Sequence, residues 1–226
     1  MTPFQHTAAL IKYLRNQTPE VILFYSGGKD SVVLLDLLSP HFEKIHCIFM
    51  EFIPNLDHLK PYQKWVERYE NADLTILPHW MTSYYMHHNY YSFPRPDKPV
   101  KLFKQSDVEE KARKLTECNW IVFGHKQADS LNRRLMLKGY KFNAINETGK
   151  KIYPLSMWNK KQVINYIELK NLIRPIEYGK KNSNGLDITI DVILWLKKNN
   201  NKDLEKLFSV FPLAKQILFE YENKRK

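Results

Sequence analysis

The segment Tyr25-Ser26-Gly27-Gly28-Lys29-Asp30-Ser31 constrains this chain more than any other. Before it stands Val21-Ile22-Leu23-Phe24, an apolar run too short for a helix, which reads as a buried strand. After it comes Val32-Val33-Leu34-Leu35-Asp36-Leu37-Leu38, which reads as a helix packed on a sheet. A Ser-Gly-Gly turn between the two leaves backbone N–H groups free at a helix N-terminus, a ready site for an anion. Glycine lets the backbone approach that anion closely. Lys29 and Ser31 add a cation and a hydroxyl donor, and Asp30 reads as a helix cap or a metal ligand. The G-x-x-x-x-G-K-S/T spacing of the Walker A loop is absent.

The rest of the chain alternates apolar runs with amphipathic stretches. Helices are expected over residues 5–16, 29–38, 57–71, 106–117, 128–138, 159–170, 187–198 and 202–222, the last broken near Pro212. Asp57 reads as an N-cap, and Ser106 as another with Glu109 as its capping-box partner. Strands are expected over 20–25, 45–50, 73–78, 120–123 and, as a short extended piece, 152–155. Residues 79–104 read as loop or short helix, and Asn182-Ser183-Asn184-Gly185 and Asn199-Asn200-Asn201 as turns. Strands alternating with helices imply a parallel, twisted α/β sheet with helices on both faces, and ligands collect at the carboxyl ends of such strands.

Ser26-Gly27-Gly28-Lys29-Asp30-Ser31 resembles the PP-loop of the adenine nucleotide alpha hydrolase-like superfamily. Gly124-His125-Lys126-Gln127-Ala128-Asp129-Ser130-Leu131-Asn132-Arg133 resembles the G-x-R-x-x-E/D-S-x-x-R segment of one branch, the phosphoadenosine phosphosulfate (PAPS) reductase family, with Lys126 in the first arginine position. Pro154-Leu155 with Trp158, Val163, Tyr166 and Ile167, then Leu172, Pro175 and Tyr178, is similar to a third segment of that family, one spacing being altered. Trp158 and this helix stripe read as packing. The resemblance implies a Rossmann-like α/β domain over 1–180 with a C-terminal helical appendage over 181–226. It implies binding of an adenine nucleotide by Ser26, Gly27, Gly28, Lys29, Asp30, Ser31, Glu51, Gly124, His125 and Asp129. Lys29, Asp30, Ser31, Lys126 and Arg133 are the candidate catalytic residues, and Asp30 the candidate Mg²⁺ ligand. The implied chemistry is cleavage of ATP between the α and β phosphates, with adenylylation of an acceptor. The alternative ligand is PAPS or a related sulfonucleotide. Arg133 can hold an anion bidentately, whereas Lys126 acts as a point charge.

Cysteine bears on that alternative. A thiol-dependent reductase needs a nucleophilic cysteine, which the family carries near the C-terminus, and this chain has only Cys47 and Cys118. Cys47 falls inside an expected strand and Cys118 just before one, so both read as inert. Two cysteines and no recognisable signal segment suggest a reducing cytoplasm, and no apolar stretch reaches the ~18 residues of a membrane span.

The 226 residues carry 35 Lys and Arg against 24 Asp and Glu, a formal charge of +11. That surface favours anionic partners, with tRNA or DNA as a candidate acceptor. Trp80, Tyr84, Tyr85, Tyr90, Tyr91 and Phe93 either stack bases or cover the core under a long loop. His79, His87 and His88 lack a carboxylate or cysteine partner at metal-binding spacing. The C-terminal helices are a candidate homodimer contact.

Overall fold

A computed structural model describes residues 1–94, 97, 99–179 and 187–223. The expected turn at Asn182–Gly185 lies outside the described residues.

In chain order the elements are α1 (Pro3–Arg15), β1 (Glu20–Phe24), α2 (Lys29–Leu38), β2 (Lys44–Glu51), α3 (Lys60–Lys64), β3 (Ala72–Pro78), α4 (Trp80–His87), α5 (Gln105–Thr116), β4 (Ile121–Val122), α6 (Leu131–Lys138), β5 (Ile145–Asn146), β6 (Lys151–Ile152), α7 (Lys160–Leu169), α8 (Ile190–Asn199), α9 (Asn201–Val210) and α10 (Lys215–Asn223). The strands form one sheet in the order β3-β2-β1-β4-β6-β5. β1 runs parallel to β2 and to β4, and β4 parallel to β6. β5 pairs antiparallel with β6, in a hairpin that the sequence reading did not contain.

Two compact units are present: Met1–Phe49 with Tyr62–Thr75 and Glu109–Pro175, and Met50–Pro61 with Ile76–Val108 and Ile176–Lys226. The expected helical appendage falls in the second.

In the first unit, β1 is apolar from Val21 to Phe24 because both of its faces are buried, as a central parallel strand requires. Val32, Val33, Leu34, Leu35 and Leu38 of α2 are buried with it. Each such side chain contributes about 1.5–3 kcal/mol by leaving water. α7 packs on α2 and fixes it by a hydrogen bond from the Tyr166 hydroxyl to Asp36 at 2.7 Å. Trp158 is buried and donates its indole N–H to Thr7 at 2.8 Å, as expected of a packing residue. In the second unit, Phe52, Ile53 and Leu56 join apolar residues of α8 and α9 in a separate core.

The structure differs from the local readings at three places. Residues 57–71 are not one helix: two 3₁₀ turns flank the single turn of α3, which carries Pro61. Asp57 is not an N-cap there, since Leu56 holds that position and the Asp57 amide donates to Asp203 at 2.9 Å. Ser106 lies inside α5, and Glu109 is not its capping partner but a buried ion pair with Lys151 at 2.6 Å. α6 starts only at Leu131, capped by Ser130, so residues 126–129 form a turn rather than helix.

Candidate active site

The order of strands reverses at β1, whose neighbours β2 and β4 lead to opposite edges of the sheet. Crevices at such a switch point are where open α/β sheets bind ligands. Here the loop after β1 carries Ser26–Gly28, and the loop after β4 carries Gly124–Asp129.

The first loop is shaped by glycine. Gly27 has φ +69°, a left-handed conformation that side chains resist, and a Cβ there would stand 2.7 Å from the Cβ of Tyr62. Gly28 is the N-cap of α2 and supplies no side-chain cap, so no side chain closes the N-terminus of that helix. Ser31 knits the loop: its hydroxyl donates to the Gly28 carbonyl at 3.0 Å and accepts from the Ser26 amide at 3.2 Å. The Ser26 hydroxyl accepts from the Gly28 amide at 3.3 Å. Asp30 is not the cap; it sits in the first turn, and its carboxylate meets cations.

Those cations come from both loops. Asp30 Oδ2 lies 3.1 Å from the Lys29 ammonium and 2.7 Å from that of Lys126. Lys126 is also 3.0 Å from Asp129 Oδ1, and Arg133 is 2.9 Å from Asp129 Oδ2. The result is a chain of alternating charge, Lys29–Asp30–Lys126–Asp129–Arg133, with three cations and two carboxylates. Its middle member, Lys126, is 1% exposed, whereas the Arg133 side chain is 43% exposed. Burial alone would raise the Asp129 pKa, but the Lys126 ammonium and amide, and then Arg133, hold it below the usual carboxylate range.

The chain closes because Gly124 has no side chain. A Cβ there would meet the Asp30 Cβ at 2.9 Å. Next to it, His125 stacks on Phe123 and Tyr153, with ring centroids 5.4 and 5.6 Å apart. Burial lowers its pKa to about 4, with the Arg133 charge acting the same way, so it is neutral at pH 7. Four buried polar atoms around these loops lack a hydrogen-bond partner among the described residues: Asp30 Oδ1, His125 Nδ1, Ser156 Oγ and Lys126 Nζ, the last being held by its two ion pairs. The Gln127 amide donates to the Ser156 carbonyl at 3.0 Å, which ties the β6 loop to the β4 loop. Buried polar groups are ordinarily satisfied, so these atoms have hydrogen-bonding capacity to spare.

Of the residues singled out in the sequence, Ser26 to Ser31, Gly124, His125, Lys126, Asp129 and Arg133 meet in the first unit. Glu51 closes β2 within the second unit, where its carboxylate accepts from the Asn55 amide at 3.4 Å. Ser156 was missed; its one sequence signal is its place just after β6. Asp30 offers one unpartnered carboxylate oxygen, which fits Mg²⁺ held jointly with the phosphates of a nucleotide. Among the described residues no group of three or more His, Cys, Asp or Glu gathers to hold a metal unaided.

Neither thiol belongs to the site. Cys47 is buried in β2, where burial pushes its pKa far up. Cys118 is buried too, and its thiol donates to the carbonyl of Glu20, at the amino end of β1 and away from the loop. Among the described residues no helix is long and apolar enough to cross a membrane.

No curated protein matches this sequence. Among solved structures, a U34-tRNA thiolase, NcsA, from Methanococcus maripaludis, with its 4Fe–4S cluster, is similar at 17% identity and a TM-score of 0.46, over 90% of this chain and 72% of that one. An NH₃-dependent NAD synthetase from Campylobacter jejuni is similar at 14% identity and a TM-score of 0.45, over 100% of this chain and 97% of that one. The model of the phosphoadenosine phosphosulfate reductase domain matches residues 20–176, from β1 through α7, and the chain belongs to that family.

Proposed function

We propose that this chain binds ATP at the N-terminus of α2 and splits it between the α and β phosphates, adenylylating an acceptor that is a nucleic-acid base. The observation that carries this reading is the uncapped start of α2 facing a charge chain that ends in Lys29 and Arg133. Open helix amides and flanking cations suit a pyrophosphate.

In the reaction an acceptor oxygen forms a bond to the α phosphorus. The bond from that phosphorus to the oxygen bridging to the β phosphorus breaks, and pyrophosphate leaves with the electron pair. The amides at the start of α2 and the Lys29 ammonium stabilise the charge that develops on the leaving group. Arg133, more exposed than Lys126, takes a phosphate oxygen pair bidentately. Lys126 holds Asp30 and Asp129 in place and so positions both loops. Asp30 Oδ1 would hold Mg²⁺, which when bound offsets phosphate charge. Ser26, Gly27, Gly28 and Ser31 set the loop's shape, and Gly124 its contact with Asp30. His125, neutral, presents an acceptor or donor nitrogen without adding charge.

Family membership favours one second reading, a sulfonucleotide ligand. With both thiols buried, that ligand would be bound, or reduced only with a partner's thiol. Calorimetric titration with a non-hydrolysable ATP analogue plus Mg²⁺, and with 3′-phosphoadenosine 5′-phosphate, separates the two. Tight binding of the ATP analogue alone supports the first reading; preference for the 3′-phosphorylated ligand replaces it with the second. Lys29→Ala and Ser31→Ala each weaken the preferred ligand by about 10- to 100-fold, the loss of one charge-assisted or loop-shaping contact. Wild-type affinity in both variants refutes the assignment of the site.

A further inference from the structure

The aromatic belt after β3 divides into two populations. Tyr85 and Tyr91 pack against the core of the second unit, Tyr85 with its ring 5.4 Å from Phe52 and its hydroxyl donating to Asp187 at 3.1 Å. Tyr84 and Tyr90 do not; they are 37% and 47% exposed. Their rings lie 5.9 Å apart, and the exposed His88 ring sits 4.5 Å from Tyr84 and 5.8 Å from Tyr90.

The backbone holds these rings together. Asn89 ends α4 in the left-handed region at φ 55°, and the Tyr90 amide donates back to the Tyr85 carbonyl at 2.8 Å. Tyr91 is left-handed too, at φ 57°, an unfavourable conformation for a bulky residue. Its carbonyl is held by the Leu213 amide at 2.9 Å. An exposed trio kept in place by two left-handed residues buries little apolar surface in return.

The surroundings are basic. Ser83 Oγ accepts from the Phe103 amide and donates to its carbonyl, and His87 Nδ1 bonds the Val100 carbonyl at 3.0 Å. These bonds lay residues 100–104 along α4, with Lys101 and Lys104 exposed. Nearby carboxylates are largely occupied. Asp187 takes the Tyr85 hydroxyl and Asp107 the Lys104 amide, while Asp97 is exposed. Between residues 79 and 106 the sequence has four Lys and Arg and one acidic residue.

We propose that Tyr84, His88 and Tyr90, with Lys101 and Lys104, form a stacking platform for single-stranded nucleic acid. Rings take the bases regardless of sequence, and lysines take the phosphates. A second copy of the chain fits less well, because both copies would present the same positive charge. The proposal deepens the reading above by giving its acceptor class a surface, and rests on it only for that meaning.

The test is fluorescence anisotropy with labelled single-stranded DNA and RNA of about 20 nucleotides and an abasic strand of equal length, without ATP. Wild-type protein binds the base-bearing strands, and Tyr84→Ala with Tyr90→Ala weakens that binding about 10- to 100-fold. Tyr84→Phe with Tyr90→Phe, which keeps both rings, retains wild-type affinity. The abasic strand binds wild type and the Ala pair equally. Lys101→Gln with Lys104→Gln lowers the salt dependence of binding instead. Affinity of the Ala pair for the ATP analogue stays at the wild-type level, so failure here is distinguishable from failure of the nucleotide site. The proposal is overturned if wild type binds no single strand, if the Ala pair binds as tightly, or if its loss is equal on the abasic strand. It is also overturned if light scattering finds a wild-type dimer that the Ala pair dissolves.

Discussion

Gly124→Ala tests whether the loops after β1 and β4 are as closely matched as the charge chain requires. The new methyl would lie 2.9 Å from the Asp30 Cβ, 3.5 Å from the Asp30 carbonyl carbon and 3.6 Å from Leu34 Cδ1. Unstrained carbon contacts are about 3.5–4.0 Å, so the first is short by roughly 0.6 Å or more. Asp30 cannot swing away, because its backbone is in the first turn of α2 and its carboxylate lies between Lys29 and Lys126. Overpacking of this kind costs about 1–3 kcal/mol, and the lower entropy of the unfolded alanine chain returns about 0.4–1. Taken at the midpoints, the net loss is about 1.3 kcal/mol, which lowers Tm by roughly 3–5 °C in a chain of this size. Gly28→Ala is the control: its φ is −77° and its Cβ meets only the Ser26 hydroxyl, at 3.2 Å. That hydroxyl can rotate, so Tm barely moves, while the methyl crowds the open amides and weakens the ATP analogue about tenfold or more. Thermal and urea unfolding read the first effect, and calorimetric titration the second. Gly124→Ala at wild-type stability would refute the close approach. A Gly28→Ala protein with a lowered Tm and unchanged affinity would refute the division of labour between the two glycines.

Two further outcomes follow from the same loops. Lys126→Met leaves Asp30 with Lys29 and Asp129 with Arg133 but removes the shared buried cation. Both carboxylates are 21% exposed, so the loss is about 2–3 kcal/mol rather than the larger figure for a wholly buried pair, and a urea-unfolding loss under about 1 kcal/mol would refute it. Stability falls on acidification, because His125 stays neutral in the fold down to about pH 4 whereas an unfolded histidine takes up its proton near pH 6.5. Between those values the unfolded state binds more protons, so stability drops by up to about 1.4 kcal/mol per pH unit. Urea midpoints at descending pH give a shallower slope for His125→Asn than for wild type, and equal slopes refute the assignment.

Local grammar carried much of the first unit. The run Val21–Phe24, the glycine turn and the apolar stretch from Val32 could be ordered into strand, loop and helix because each signal lies within a few residues. The misreadings arose where a distant residue decided the outcome. Asp57 looks like a cap until Asp203 takes its amide, and Glu109 looks like a capping-box partner until Lys151 takes its carboxylate. The charge chain was out of reach for the same reason. Both motifs were visible, but nothing local to Lys126 says that it is enclosed by Asp30, which lies almost a hundred positions earlier. Gly124 carried a faint signal, a glycine at the carboxyl end of a buried strand, where close backbone approach is common.

Segment 80–91 resists the sequence for a different reason. On a helix, Met81 and Tyr85 share one stripe at spacing four, and Tyr84 and His88 share another about 60° round from it. Both stripes hold large, partly apolar rings, so periodicity cannot say which one faces the core. The structure decides it through residues far away in sequence: Phe52 and Phe211 receive Tyr85, with ring centroids 5.4 and 6.0 Å away. Tyr84 is left outside with His88 and Tyr90. A helix with one aromatic stripe needs only a core. One with two, the outer braced by left-handed Asn89 and Tyr91, has a second surface to satisfy, and the lysines beside it favour a partner that is both flat and negatively charged.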